Sequence, residues 1–242
     1  MKLFIDIGNT ATKFALEDFK NVTSISTKKI LDGDFDLSFL PRSVENVYVS
    51  SVVPKAFEAI KNKIFGKYDL LIKQNKISND YGVIIDMDNP QELGDDLFCD
   101  LVGANDMVKP PLLIVDLGTA NKFLYIDKDH KFYSAQIIEG LYMALNGLAS
   151  NTALLPKIDD GDIKPILKCN NTVDVLLSSA YHAQVDSING AVARYLKEIG
   201  NKDIPILLTG GNVKDIYKDL NFKYQQVDNL CLRGLEVISR GK

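Results

Sequence analysis

Tryptophan is absent from the 242 residues, histidine occurs twice and cysteine three times. With only His130 and His182, neither a His/Cys zinc site nor a Ser-His-Asp triad is expected. Cys99, Cys169 and Cys231 are odd in number, widely spaced and without a Cys-x-x-Cys pair, which suits the reduced thiols of a cytoplasmic protein better than a disulfide framework. No apolar run approaches the roughly 20 residues that a membrane-crossing helix needs. The stretch from Met1 to Ile5 meets Asp6 too soon to be a signal-peptide core. Positive charge is not in excess either: 28 Lys and Arg against 32 Asp and Glu leave a net charge of −4. With no basic run or basic helix face, neither nucleic acid nor a membrane is an expected partner. What is present, 46% hydrophobic and 25% charged residues, is the composition of a globular chain with room for one large domain or two small ones.

The chain repeats itself. Leu3 to Leu16 reads LFIDIGNTATKFAL, and about 110 residues later Leu112 to Tyr125 reads LLIVDLGTANKFLY. Each copy is an apolar run ending in Asp-x-Gly, followed by Thr-Ala-x-Lys-Phe once Asn9 is allowed as an extra residue. Apolar residues before a Gly, Asn and Thr cluster predict a strand, a tight turn and a second strand. Asp-Gly alone is ordinary hairpin chemistry. Two matching copies instead predict an internal duplication, with one lobe over 1–109 and another over 110–242, separated at Pro110-Pro111.

Elsewhere the pattern predicts strands over Val22–Lys29, Asn46–Val53, Leu70–Lys73 and Ile204–Leu208. It predicts helices over Lys55–Phe65, Glu92–Met107, Leu141–Leu155, Thr172–Ile199 and Asn229–Ser239, with a loop over Pro156–Pro165. The class is α/β.

Glycine turns at the ends of buried strands suit phosphate. Gly8 and Gly118 let an anion approach the backbone, and the neighbouring N–H groups and the hydroxyls of Thr10, Thr12 and Thr119 can donate to its oxygens. Lys13 and Lys122 add point charges. Asp6 and Asp116, at the strand ends, suit a cation or its water shell. Thr209-Gly210-Gly211-Asn212 sets backbone N–H groups at a third turn. Neither GxxxxGK[ST] nor a GxGxxG after a strand is present, which excludes the P-loop and Rossmann routes to a nucleotide.

An acidic cluster stands apart from these turns. Glu92, Asp96 and Asp100 share a helix face with Asp95 adjacent, although like charges at that spacing cost an isolated helix roughly 0.2–0.5 kcal/mol per pair. Acids in a first turn complement the helix dipole. A carboxylate facing a phosphate could instead take the proton of an attacking alcohol.

The same residues resemble the type III pantothenate kinases of the acetate and sugar kinase, heat-shock chaperone and actin superfamily. The resemblance runs through DIGNTATK at Asp6 to Lys13, SSVVP at Ser50 to Pro54, NPQELGDD at Asn89 to Asp96 and DLGTA at Asp116 to Ala120. It continues with EGLYMALNGLASNTALLP at Glu139 to Pro156, NNT at Asn170 to Thr172, LTGGN at Leu208 to Asn212 and LCLRGLEVI at Leu230 to Ile238. It implies a duplicated ribonuclease H-like, actin-like ATPase fold, a homodimer, ATP as donor, and Mg2+ with a monovalent cation, K+ or NH4+. By resemblance Asp6, Ile7, Gly8, Asn9, Thr10, Ala11, Thr12 and Lys13 form the first ATP phosphate loop; its place at the strand end makes Asp6 a candidate for Mg2+ as well. Thr119 is an ATP contact, Asp116 the monovalent-cation ligand, and Gly210 and Gly211 lie on the adenosine side. Met87, Gly94, Asp95, Asp96, Leu97 and Thr172 fall on acceptor-binding positions, with Asp96 on the general base.

Departures from the family pattern concentrate in the acceptor motif. Family members carry Gly-Ala-Asp-Arg where this chain has Gly94-Asp95-Asp96-Leu97, and the Arg pairs with the pantothenate carboxylate. Met87 replaces a Tyr, and Thr-Ala-Thr-Thr becomes Thr119-Ala120-Asn121-Lys122. An Arg–carboxylate pair is worth roughly 1.5–3 kcal/mol, or about 10- to 150-fold in binding. Three readings follow: a pantothenate kinase making 4'-phosphopantothenate for coenzyme A synthesis, a kinase for another small alcohol, or a silent nucleotide-binding regulator.

Overall fold

The computed structural model describes residues 1–65, 71–74, 77–158, 163 and 167–241. Along the chain run β1 (Lys2–Ile7), β2 (Ala11–Leu16), β3 (Val22–Ser26), α1 (Thr27–Leu31), β4 (Asn46–Ser51), α2 (Pro54–Phe65) and β5 (Leu71–Gln74). Then come β6 (Ile84–Ile85), α3 (Asp95–Met107), β7 (Leu112–Leu117), β8 (Ala120–Ile126), β9 (Lys131–Glu139), α4 (Leu141–Ser150) and α5 (Thr172–Ile199). The chain ends with β10 (Ile206–Thr209), α6 (Val213–Ile216), β11 (Gln225–Gln226) and α7 (Leu230–Ser239). Two compact units result: Met1–Pro110 with Ile126–Tyr133 and Asn229–Lys242, and Pro111–Tyr125 with Ser134–Asp228.

The first unit is built on a sheet of order β3-β2-β1-β4-β5. β1 lies antiparallel to β2 and parallel to β4, so it is central, and Leu3, Phe4, Ile5 and Ile7 are all buried, as a strand covered on both faces requires. On one face Leu3, Ile5, Phe14, Val47 and Val49 pack with Ile30 of α1 and with Ala56, Ile60 and Ile64 of α2. Pro54 opens α2, where its missing N–H is not needed. α3 and α7 pack together and against β1 and β4. Their crossing is backbone on backbone: a Cβ on Gly103 would come 2.9 Å from the Gly234 nitrogen, and one on Gly234 would overlap the Cys99 carbonyl. Lys2 Nζ donates to the Ser239 carbonyl at 2.8 Å, tying the first strand to the last helix.

The second unit has the order β11-β10-β7-β8-β9. All six residues of β7 are buried, and β10 runs parallel beside it with Thr209 opposite Asp116. Val115, Leu117, Phe123 and Leu208 pack with Tyr181, Val185, Ile188 and Val192 of α5. Asn171 caps that 28-residue helix by accepting from the Asp174 N–H, and Gly200 ends it at φ 72°.

Several expected bounds move. The strand expected over Val22–Lys29 stops at Ser26, and Thr27 starts a helix. Glu92 lies in a 3-10 turn over Pro90–Glu92, so α3 begins only at Asp95. The helix from Leu141 ends at Ser150, and β9 is a nine-residue strand that the pattern did not show. Leu70 and part of the Pro156–Pro165 loop lie outside the described residues.

Candidate active site

β1 carries Asp6 to its C-terminal end, in register with Lys13 on β2 and Ser50 on β4. The turn that follows closes through the Gly8 N–H on the Ala11 carbonyl at 3.1 Å. Thr27 fixes its shape from outside the motif. The Thr27 N–H donates to the Thr10 carbonyl at 3.0 Å, and its hydroxyl donates to the Gly8 carbonyl at 2.6 Å. With that proton committed, Thr12 is the donor in the 3.1 Å contact between the two hydroxyls. Thr12 and Thr27 are both fully buried, whereas Asn9 and Thr10 are exposed. The buried pair holds the loop, and the exposed pair is what it presents. Thr27 escaped the sequence reading because it sat inside an expected strand.

The acidic motif belongs to the same unit. Gly94 precedes α3 in an extended conformation, and Asp95 and Asp96 occupy the first turn, half-buried. Asp96 Oδ1 accepts from the Leu97 N–H at 2.9 Å. A Cβ on Gly94 would come 2.6 Å from that oxygen, so the glycine makes room for the carboxylate. Leu97 is buried with Leu93 and Leu101, and Met87 is half-buried after β6. Glu92, off the helix, accepts from Asn89 Nδ2 at 2.9 Å.

Deeper in α3, burial pushes the Cys99 thiol up, as do the nearby charges of Asp100 and Asp6. Cys231 is raised further, first by its hydrogen bond to Cys99 and then by burial. Asp6 and Asp100 are both felt by the two thiols.

In the second unit, the Gly118-Thr119 turn is clamped from two sides. Asn212 donates from its N–H to the Leu117 carbonyl at 2.9 Å and from Nδ2 to the Gly118 carbonyl at 2.7 Å. The Gly140 N–H donates to the Thr119 carbonyl at 3.0 Å. Gly140 and Gly210 come so near that any Cβ would overlap turn carbonyls, and Gly210 takes φ +107°, which favours glycine. Gly211 is exposed beside it. The LTGGN and DLGTA motifs, far apart in sequence, thus form one structure. Asn121 and Gln184 are buried and bonded to each other, with Gln184 Nε2 on the Glu139 carbonyl at 3.1 Å. Asp116 Oδ2 accepts from Lys122 Nζ at 2.6 Å. Thr172 is exposed at the first position of α5.

Among the described residues no group of three or more His, Cys, Asp or Glu is placed to hold a metal ion. Mg2+ that arrives with a nucleotide needs only one or two carboxylates, the rest of its shell being phosphate and water. Asp6, half-buried at its strand end, fits that demand.

Known proteins are similar to this chain in sequence and in fold. The family model for type III pantothenate kinase matches residues 2–194. The chain belongs to the type III pantothenate kinase family. A type III pantothenate kinase of Acholeplasma laidlawii is 30% identical over 246 residues, covering 97% of this chain and 96% of its own. One from Bifidobacterium adolescentis is 33% identical over 233 residues, covering 91% and 90%. Among solved structures, a candidate 2-dehydro-3-deoxygalactonokinase from Sinorhizobium meliloti matches with a TM-score of 0.60 at 13% identity, covering 99% of this chain and 96% of its own. That likeness concerns the fold, which is the actin-like ATPase and sugar kinase fold that the family resemblance implies. As a type III pantothenate kinase the protein is an enzyme and a kinase. Within the described residues no helix is long and apolar enough to cross a membrane.

Proposed function

We propose that this type III pantothenate kinase moves the terminal phosphoryl group of ATP to the hydroxyl of pantothenate, giving 4'-phosphopantothenate, the first step of coenzyme A synthesis. The observation that carries the reading is Asp96, seated over Gly94 in the first turn of α3, in the same unit as the Asp6–Lys13 loop. Phosphoryl transfer passes through a loose transition state, so the protein's work is positioning and charge stabilisation. Asp96 takes the proton of the acceptor hydroxyl as its oxygen attacks phosphorus. In the first unit, backbone N–H groups and exposed side chains of the Asp6–Lys13 loop hold phosphate oxygens; in the second, the Thr119 turn is a phosphate contact, and Gly210 and Gly211 serve the adenosine side. Mg2+, when bound through Asp6, supplies positive charge against the triphosphate. A free monovalent ion at Asp116 fits less well, because that carboxylate already accepts from Lys122. The acceptor-binding residues are Met87, Gly94, Asp95 and Leu97 in the first unit and Thr172 in the second.

Self-association as a homodimer is supported by exposed apolar residues of the second unit, Met143, Leu148, Leu154, Leu167, Val173 and Val175, which flank Thr172 in the chain. Reduced thiols suit a cytoplasmic enzyme. The two copies of the Asp-x-Gly motif express a duplication with lobes starting near 1 and 110, although the last helix, α7, groups with the first unit. A kinase for a different alcohol is favoured by one observation, the buried Leu97 where the family's Arg would meet a carboxylate.

The test is mass spectrometry of pantothenate incubated with the protein, ATP and Mg2+. Phosphopantothenate supports the proposal. No product at millimolar pantothenate overturns it: phosphorylation of another alcohol would then support the second reading, and nucleotide binding without transfer to any acceptor a regulator.

A further inference from the structure

We propose that the Lys122 ammonium is a built-in monovalent cation of the second phosphate turn, so that the enzyme needs no free K+ or NH4+. The inference rests on the reading of Gly118-Thr119 as a phosphate turn and of Asp116 as the carboxylate beneath it. Asp116 lies at the end of β7, and a Cβ on Gly118 would be 3.8 Å from its Oδ1, so the carboxylate sits against the turn itself. Lys122 Nζ is 2.6 Å from Oδ2, with the two side chains 18% and 12% exposed. That is a short, charge-assisted contact in a largely desolvated place.

The lysine is held where it is by its neighbours. Asn121 on one side is 1% exposed and bonded to Gln184, and Phe123 on the other is fully buried, so β8 cannot slip in register to withdraw it. An ammonium group carries the same single charge as K+ or NH4+ and is a compact, strongly directed point charge. A second cation on the same carboxylate would be repelled by the first. Tethering the charge replaces a bimolecular binding equilibrium with an intramolecular contact, so Asp116 is compensated without a free ion, before ATP arrives.

The experiment compares K+, NH4+, Na+ and choline chlorides at one ionic strength, with two readouts: rate of phosphoryl transfer, and stabilisation of the protein by ATP and Mg2+ in a thermal melt. For the wild type both should be the same in all four salts. Lys122→Thr removes the charge and should lose at least about tenfold in rate in choline or Na+, with recovery in K+ or NH4+, because it leaves Asp116 uncompensated. Its ATP-dependent stabilisation should likewise appear only in K+ or NH4+. A wild type that is activated about tenfold or more by K+ over choline overturns the proposal, because the tethered charge is then not sufficient. If Lys122→Thr fails to fold in any salt, the wild-type comparison decides alone. If ATP stabilises the wild type in no salt, the phosphate-turn reading fails and this inference with it. If ATP stabilises it equally in every salt while pantothenate is not phosphorylated, the acceptor assignment fails and the built-in cation stands.

Discussion

Replacing Asp96 by Asn removes a proton acceptor while keeping a side chain of the same shape. In the folded protein Asp96 Oδ1 accepts from the Leu97 N–H at 2.9 Å, which a carboxamide oxygen can also do, and the space over Gly94 is unchanged. What folding loses is a negative charge in the first turn of α3, worth about 0.3–1 kcal/mol. In a chain of this length that amounts to a melting shift of roughly 4 °C at most. On the proposed role the reaction loses its general base, which costs about 10²- to 10⁴-fold in turnover, or roughly 2.7–5.5 kcal/mol of barrier. The two magnitudes do not overlap. Asp95 shares the first turn and the helix dipole but not the base role, so at saturating acceptor Asp95→Asn reads the electrostatic part and should cost no more than about fivefold in turnover, any lost acceptor contact appearing in KM. The assay is coupled ADP release at saturating acceptor, with calorimetric ATP affinity and a melt for each variant. Turnover of Asp96→Asn should collapse while ATP affinity and melting temperature stay near wild type. Equal, mild losses in both variants would refute the base assignment and leave the acids as complements of the helix dipole.

Leu97→Arg buries a guanidinium among Leu93 and Leu101 and should destabilise by a few kcal/mol without lowering the KM for pantothenate. A drop of up to about 10- to 150-fold in KM would show instead that the wild type leaves the carboxylate without a cation. Thr27→Val leaves the Gly8 carbonyl and the Thr12 hydroxyl without their partner and should cost about 1–3 kcal/mol with a weaker ATP affinity, while Thr27→Ser should restore both. In native protein a thiol reagent should modify the half-buried Cys169 first and reach Cys99 and Cys231 only on unfolding, by mass spectrometry of the labelled peptides. Because the fold keeps the two raised thiols protonated while the unfolded chain ionises them, their contribution is whole below the ordinary thiol value and is lost as pH rises past it. Melts should therefore fall into the alkaline range, less so in a Cys99→Ala/Cys231→Ala variant.

Much of the site was legible because its motifs are local. A strand ending in Asp-x-Gly needs no distant partner to be read, and both copies sit where the repeat places them, on β1–β2 and β7–β8. The legible part ends where long-range bonds decide. Val22–Lys29 reads as one strand, yet Thr27 turns out of it because its N–H and hydroxyl go to Thr10 and Gly8, a tertiary choice that no window of sequence records. β9 was invisible for a different reason: Tyr133 and Ile137 are exposed, so apolar and polar residues do not alternate with burial. Glu92 was placed on a helix because its spacing fits, but Pro90 opens a 3-10 turn that ends there. The crossing of α3 and α7 at Gly103 and Gly234, which groups the last helix with the first unit, could not be seen in two isolated glycines.

The departures from the family pattern are of two physical kinds, and the difference bears on what each does. Asn121 and Lys122 change the second turn, but each arrives with a buried partner, Gln184 for the amide and Asp116 for the ammonium. Both side chains are thus partnered within the protein. Leu97 changes the acceptor motif in the opposite way. It exchanges a charged side chain for a buried apolar one, which gains apolar burial and gives up the ability to meet a carboxylate. A substitution compensated inside the protein can leave the reaction alone; one that trades a ligand contact for core packing cannot be neutral toward that ligand. Differences in substrate preference between this enzyme and its relatives should therefore appear in the acceptor and not in the nucleotide.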